Sequence, residues 1–228
     1  MTQPLISIII AVKNAECFLA QALDSIVAQS FDDYQIVIVD GRSSDKSIRI
    51  ARTYKKVVCI EQSGDGFLNA WNIGIAFSNT PFIAFLDSDD IWSSDKLASQ
   101  MAVFDLKPEI ECVFGKVRFF LEPGCKIPRG FRPELLEKSY AIPMSGTTLV
   151  KRSVLTRIDP FDERMKIAGD IAWIAQLRSV SIFDFVDKVV LNKRLHDSNL
   201  GHTTSWPLFK SELLAVMNRR IHATRSRE

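Results

Sequence analysis

Residues Ile6–Val12 read ISIIIAV, and this run narrows the choice of folds more than any other feature of the chain. Apart from Ser7 its side chains are apolar at both parities, so as a strand it would need cover on both faces. Such a strand belongs inside a parallel sheet with helices packed on either side. Runs of the same kind return as YQIVIVD, VVCIE and PFIAFLD, and the stretches between them are helix-like, starting near Ala15, near Asp45 and from Gly66 to Ser78. The rhythm is β-α-β-α-β, which predicts an α/β fold with a Rossmann-like, mostly parallel central sheet flanked by helices.

Ser93 or Ser94 is placed to cap a further helix whose Leu97, Met101 and Phe104 share one face. After Pro108 the pattern changes. A strand-like IECVFGKVRFFL is followed by a Pro/Gly-rich stretch from Pro123 to Pro133, then by GTTLV leading into a short helix. The second half is therefore expected to be mixed α/β rather than a second wound unit. A final helix from about Trp206 carries Leu213, Met217 and Ile221 at helical spacing and ends in a basic tail. These elements predict one domain over residues 1–228, divided into 1–107, 108–204 and an amphipathic C-terminal segment at 205–228.

Composition excludes several classes of function. With 228 residues and 46% hydrophobic content the chain can bury a sizeable core. A formal net charge of +2 gives no basic field for nucleic acid. The apolar runs are far shorter than the roughly 20 residues that span a bilayer, and the N-terminus has no basic signal region, which predicts a cytoplasmic protein. Cys17, Cys59, Cys112 and Cys125 show neither metal spacing nor a CxxC pair and are expected to be reduced thiols.

Polar groups recur where the predicted strands end. The first ends in Lys13-Asn14, the second in Asp40-Gly41, and the fourth in Asp87-Ser88-Asp89-Asp90. In open parallel sheets ligands collect at the carboxyl ends of strands, where the strand order reverses. Carboxylates crowded there repel one another, and a divalent cation relieves that repulsion while keeping them ionised. Hard oxygen ligands suit magnesium or manganese, which also bind phosphate oxygens. The expected ligand is a metal-bound phosphate compound. Asp40 before Ser43-Ser44-Asp45 is equally suited to a turn, and Asp90 to a helix cap.

Six ordered segments, ISIIIAVKN, IVIVDGRSSDKS, GFLNAWNIGI, IAFLDSDD, FDERMKIAGDIAW and RLHDSNLG, together resemble the glycosyltransferases of family 2. The resemblance spans most of the chain and implies the GT-A fold. Residues 1–107 would form the nucleotide-sugar half and 108–204 the acceptor and catalytic half. The implied reaction is inverting transfer of a sugar from a nucleoside-diphosphate sugar, with a UDP-sugar favoured, to an acceptor hydroxyl, in polysaccharide or glycoconjugate assembly.

The resemblance also implies roles residue by residue. Ala11, Val12, Lys13 and Asn14 match the wall of the nucleotide pocket, and Asp40 the acid that contacts base or ribose. Gly66, Asn72, Asp87 and Ser88 fall on the donor side. Asp89, with Asp87, matches the metal-binding D-x-D, and His196 beside Arg194 matches a late Arg-x-His element near the metal and diphosphate. Asp170 matches the general base. The chain departs from the common pattern in three places: Arg42 stands in the second-strand turn, Gly64 replaces an acid two before Gly66, and Gly169 precedes Asp170 where many relatives carry Glu.

Two other readings remain open on the residues alone. FLDSDDI also fits a magnesium-dependent phosphatase of the haloacid dehalogenase type, with a nucleophilic first Asp, and a fold of this kind can bind sugar nucleotides without turning them over. The basic C-terminal helix suits peripheral contact with an anionic membrane at its inner face, or plain packing on its own domain. The acceptor itself leaves no physical signature in the second half.

Overall fold

The structure is a computed structural model that describes residues 3–128, 131–199, 208, 210–212 and 214. Its elements in chain order are β1 (Ile6–Val12), α1 (Leu19–Val27), β2 (Tyr34–Asp40), α2 (Ser47–Ala51), β3 (Val57–Glu61), α3 (Phe67–Phe77), β4 (Phe82–Phe85), β5 (Ile91–Trp92), α4 (Lys96–Leu106), β6 (Cys112–Leu121), β7 (Ser139–Tyr140), β8 (Leu149–Lys151), α5 (Gly169–Val180) and β9 (Phe183–Leu195). Among the described residues they form a nine-stranded sheet in the order β3-β2-β1-β4-β8-β6-β9-β5, with β7 on β6. Strands β3, β2, β1 and β4 are parallel neighbours, β8 runs antiparallel to β4 and to β6, and β6 and β9 are parallel. The expected α/β architecture is present, with a mixed second half.

The double-sided apolar pattern of β1 explains the layering. Ile8 and Ile10 point into one core cluster with Leu19, Leu23 and Ile26 of α1 and Leu97, Met101 and Phe104 of α4. Ile9 points the other way, into a second cluster with Leu68 and Trp71 of α3, Phe85 of β4, and Trp173 and Leu177 of α5. Each of these isoleucines is fully buried, which contributes about 1.5–3 kcal/mol apiece. Helix α3 lies so close to β1 that a Cβ on Gly74 would meet Ile9 Cγ2 at 2.3 Å.

Several local expectations shift. Helices α1 and α2 begin later than the periodicity suggests, because the residues ahead of them spend their polar groups between loops. The backbone N–H groups of Asn14, Ala15 and Glu16 donate to Ser43 Oγ, Ser47 Oγ and Asp45 Oδ2, and the Asn14 and Glu16 side chains accept from the N–H groups of Ser44 and Lys46. Neither Ser93 nor Ser94 caps α4. Its N-cap is Asp95, without a side-chain bond. GTTLV is a 3-10 turn (Ser145–Thr147) followed by β8, and the short helix after it is also 3-10 (Arg152–Arg157). Of the C-terminal helix, residues 208, 210–212 and 214 are helical, while Leu213, Met217, Ile221 and the basic tail lie outside the described residues.

Candidate active site

The strand order reverses between β1 and β4, since α1 leads from β1 toward β2 on one side while β4 adds on the other. The loops leaving these strands define the rim where a ligand is expected. On the β1–β2 side, Val12 pairs with Asp40, the Gly41 N–H donates to Val12 O at 2.7 Å, and the Gln62 N–H donates to Asp40 O at 2.8 Å. The Asp40 carboxylate accepts the Ser43 N–H at 3.1 Å on Oδ1 and 3.3 Å on Oδ2, so the turn role weighed from the sequence is realised. Asn14 and Arg42 adopt positive φ, 51° and 62°, in the region that L residues enter seldom. The Arg42 guanidinium donates to Asp65 at 2.5 Å.

On the β4 side the acids are held by a strand from far along the chain. Strand β5 follows them directly and pairs with β9, Ile91 opposite Asn192. One step further along β9, Lys193 Nζ donates to Asp87 Oδ2 at 3.1 Å and to Asp90 Oδ2 at 2.9 Å. The Arg194 N–H, which has run past the end of β5, donates to Asp90 Oδ1 at 2.9 Å. Asp90 therefore closes the β5–β9 ladder with its side chain and does not cap a helix. Only 1% of it is exposed. Burial, reinforced by Asp89 and Asp87 and opposed by Lys193, pushes its carboxyl up to about 7. Those three carboxylates outweigh the desolvation of Lys193 and hold its ammonium well above the usual lysine value.

Asp89 faces a different set of partners. Its Oδ2 lies 3.0 Å from His196 Nε2 and accepts from Asn199 Nδ2 at 3.0 Å. Burial raises its carboxyl, but the His196 hydrogen bond and the Lys193 charge outweigh that and leave it below the ordinary aspartate value. His196 is itself oriented, with Nδ1 2.8 Å from Ser198 Oγ and its ring against Phe18. Arg194 is a buried clamp: its Nε donates to Asp89 O at 2.8 Å, its other nitrogens reach Gln21 and Glu122, and its guanidinium lies between the rings of Phe18 and Phe120.

Asp87, Asp89 and Asp90 each offer an oxygen, all within 4.8 Å of one another. Lys193 bonds Asp87 and Asp90 alike and the Arg194 N–H takes the other Asp90 oxygen, so the remaining oxygens of Asp87 and Asp89 are the hard ligands that fit magnesium or manganese, while His196 Nε2 is engaged with Asp89 Oδ2. Ser88 lies between the two aspartates, half-buried.

Asp170 stands in the first turn of α5, close enough to Asp87 to feel its charge. Desolvation and then the negative charge of Asp87 push its carboxyl up to about 6, against Lys193. The helix N-cap is Ala168 rather than Asp170, although the Asp170 carboxylate accepts the Ile171 N–H in the first turn at 2.8 Å. The glycine before it packs closely on α3: a Cβ on Gly169 would meet Leu68 Cδ1 at 2.3 Å, so a larger residue there would require Leu68 to shift. Gly66 opens α3 at φ 83°, a conformation that favours glycine. Asn72 is engaged elsewhere, exchanging hydrogen bonds with the Phe161 backbone at 2.9 and 3.0 Å and donating to Glu163 Oε1 at 2.8 Å.

The fold thus gathers Asp87, Ser88, Asp89, His196 and Asp170 around the β4 rim, with Ala11–Asn14 and Asp40 on the adjoining rim. Asn72 fastens α3 to the loop that approaches α5. Sequence reasoning missed Lys193 and Glu212. The first could have been suspected as a cation adjoining the Arg-x-His element. The second carries no local signal.

Residues 7–155 match the family described as Glycosyl transferase family 2. An uncharacterized glycosyltransferase of Rickettsia typhi is 29% identical over 226 residues, covering 92% of this chain and 70% of its own length. One from Haemophilus influenzae is 40% identical over 106 residues, covering 44% of this chain and 42% of its own. Among solved structures, S. aureus TarS in complex with UDP superposes with a TM-score of 0.68 at 21% identity, covering 84% of this chain and 61% of TarS. Mannosyltransferase PcManGT from Pyrobaculum calidifontis, in complex with GDP-Man and Mn2+, superposes with a TM-score of 0.63 at 21% identity, covering 85% and 57%. At these identities the structural likeness is one of fold.

Proposed function

The chain belongs to glycosyl transferase family 2, and from that premise we propose that it moves a sugar from a nucleoside-diphosphate sugar to an acceptor hydroxyl with inversion at the anomeric carbon. The observation that supports the reading is a pair of unlike carboxylate environments within one another's electrostatic reach. Asp89, held ionised by His196, stands at the strand-order reversal, and Asp170, raised to about 6, stands on α5 within the field of Asp87. Acids whose environments push them apart suit divided labour.

In the proposed reaction the acceptor oxygen attacks the anomeric carbon from the α5 side. The new C–O bond forms as the bond to the diphosphate oxygen breaks, and the hydroxyl proton passes to the Asp170 carboxylate. A carboxylate near 6 is a stronger base than an ordinary aspartate and is still largely ionised at neutral pH. Asp89, Asp87 and His196 would hold a divalent ion, which when bound supplies positive charge beside the departing diphosphate. Ala11–Asn14 and Asp40 would line the nucleotide, with Gly66 and Ser88 beside the donor. A UDP-sugar is the favoured donor, in keeping with the UDP bound by TarS. The acceptor would belong to a polysaccharide or glycoconjugate. Among the described residues no helix is long and apolar enough to cross a membrane. Action from the cytoplasm, with peripheral contact through the basic C-terminal segment, completes the proposal.

A panel of UDP-, GDP- and dTDP-sugars, each with Mn2+ or Mg2+, scored for slow donor hydrolysis, tests the reading. One donor is expected to release its nucleoside diphosphate in a metal-dependent manner. Absence of both hydrolysis and calorimetric binding across the panel would overturn it.

A further inference from the structure

The helix that presents Asp170 is secured from an unexpected direction. The backbone N–H groups of three successive residues, Lys166, Ile167 and Ala168, converge on the carboxylate of Glu212, at 2.8 Å to Oε1 and at 3.0 and 2.9 Å to Oε2. Glu212 belongs to the C-terminal segment, 44–46 residues further along the chain. Ala168 is the N-cap of α5, makes no side-chain cap bond, and is fully buried, so its N–H cannot turn to water instead. A carboxylate there satisfies the unpaired donors and also sits at the positive end of the helix. Those hydrogen bonds outweigh the desolvation of Glu212 and keep its carboxyl below the usual glutamate value.

The opposite side of the same turn is fixed as well. Gly169 packs against Leu68, whose Cδ1 would lie 2.3 Å from a Cβ there, and α3, which carries Leu68, is tied to the approaching loop by Asn69 and Asn72 through Glu163. The start of α5 is therefore held between Leu68 on one side and Glu212 on the other, and Asp170 is the next residue along.

We infer that Glu212 is a positioning residue for Asp170: it completes the N-terminus of α5 from the C-terminal segment and so sets where the base stands relative to the Asp87–Asp89 wall. This rests on the reading of Asp170 as the base. A displacement of about 1 Å in such a group is enough to slow a reaction by one or two orders of magnitude.

The test uses the full chain and its Glu212→Ala, Glu212→Gln and Asp170→Asn variants. Amide hydrogen exchange is followed over residues 166–170, UDP binding with Mn2+ by calorimetry, and UDP release from UDP-N-acetylglucosamine by steady-state kinetics, or with whichever donor of the panel turns over. In Glu212→Ala the amides of 166–168 should exchange faster, kcat should fall about tenfold or more, and the Kd for UDP should stay within twofold. Glu212→Gln retains one carbonyl oxygen and should lie between alanine and the parent, which a mere tether for the tail would not require. Unchanged exchange at 166–170 in Glu212→Ala overturns the inference without recourse to turnover. So does faster exchange with kcat within twofold of the parent. Parental turnover in Asp170→Asn would instead remove the base assignment, so the two failures are distinguishable.

Discussion

His196 Nε2 lies 3.0 Å from Asp89 Oδ2 although 107 residues separate them. Strand pairing brings them together. The two-residue strand β5 follows the acids and takes its register from β9, so each step beyond Ile91 toward the acids matches a step beyond Asn192 toward His196. The Asp90 carboxylate then continues the ladder by accepting the Arg194 N–H. A motif at the end of β4 and a motif near the end of the described chain are thereby made into one site by backbone geometry, with Arg194 filling the space between Phe18 and Phe120.

The first expectation concerns that pair. His196→Ala should weaken Mn2+ binding by about 10–100-fold, the loss typical when a ligand or the partner that orients it is removed. Asp89→Asn should abolish the metal dependence of UDP binding. Calorimetric titration of Mn2+ into each variant, with and without UDP, measures both. Parental Mn2+ affinity in Asp89→Asn would show that the ion, if bound, sits elsewhere.

The second concerns the base. Asp170 must be ionised to accept a proton, and its carboxyl is raised to about 6, so kcat should rise with pH through about 6 and level off above. Asp170→Asn should reduce kcat by about 10²–10⁴-fold while UDP binding persists. The pH-rate profile of the parent and the titrated UDP affinity of the variant check the two halves separately. A profile flat from pH 5 to 8 would leave Asp170 without the role.

Much of this was legible in the chain, and the exceptions have a common cause. Strands β1 to β4 and helices α1, α3 and α4 declare themselves because their residues face a core, and burial imposes a period. The acids declare themselves because charge has no structural reason to follow a buried strand. Strand β5 is too short to have a period, and β9, FDFVDKVVLNKRL, is buried at Val190, Leu191, Arg194 and Leu195 but exposed or half-buried elsewhere, and its polar residues hide its strand character. Lys193 looks like a solvated cation until β9 is placed against Asp87 and Asp90. Glu212 stands on the amphipathic C-terminal segment, and nothing near it in sequence hints that its acceptors will be used by backbone far upstream. Contacts of this kind are set by tertiary placement, which local pattern does not encode.

The third expectation concerns stability and pH in the metal-free protein. Asp90 and Asp170 are raised to about 7 and about 6 from the ordinary 3.8. The acids held below their ordinary values, Asp45, Asp89, Glu111, Asp184 and Glu212, act below about pH 5. Between roughly pH 5 and 7 the folded state therefore holds protons that the unfolded chain has released, and stability falls as pH rises through that window. Lys96, fully buried, is lowered from 10.5 to about 7. Above pH 7 the unfolded chain holds the extra proton, so stability climbs again toward the onset of cysteine ionisation near 9. Thermal unfolding in EDTA should show a minimum near neutral pH, and Asp90→Asn should flatten its acid side. A Tm that rises steadily from pH 4.5 to 7 would contradict the assignment of both aspartates.

The last concerns Lys193, whose ammonium lies 3.1 Å from Asp87 and 2.9 Å from Asp90. A divalent ion bound at Asp89 and Asp87 and this ammonium both neutralise the same carboxylates, so they compete in part and substitute for each other in part. Removing the ammonium leaves Asp90, almost wholly buried, with the Arg194 N–H as a partner and two acids beside it. Breaking a buried pair from one side typically costs 3–5 kcal/mol. Because the Lys193 side chain is 23% exposed, about 2–3 kcal/mol is the expected loss for Lys193→Met without metal. Part of that loss should return when Mn2+ is added, so the rise in Tm on adding Mn2+ should be larger in the variant than in the parent. Differential scanning calorimetry of both proteins, in EDTA and in Mn2+, gives the four values needed. Equal Mn2+ shifts in parent and variant would mean that the ammonium and the metal act on separate charges, and the three aspartates would then have to be treated as two sites.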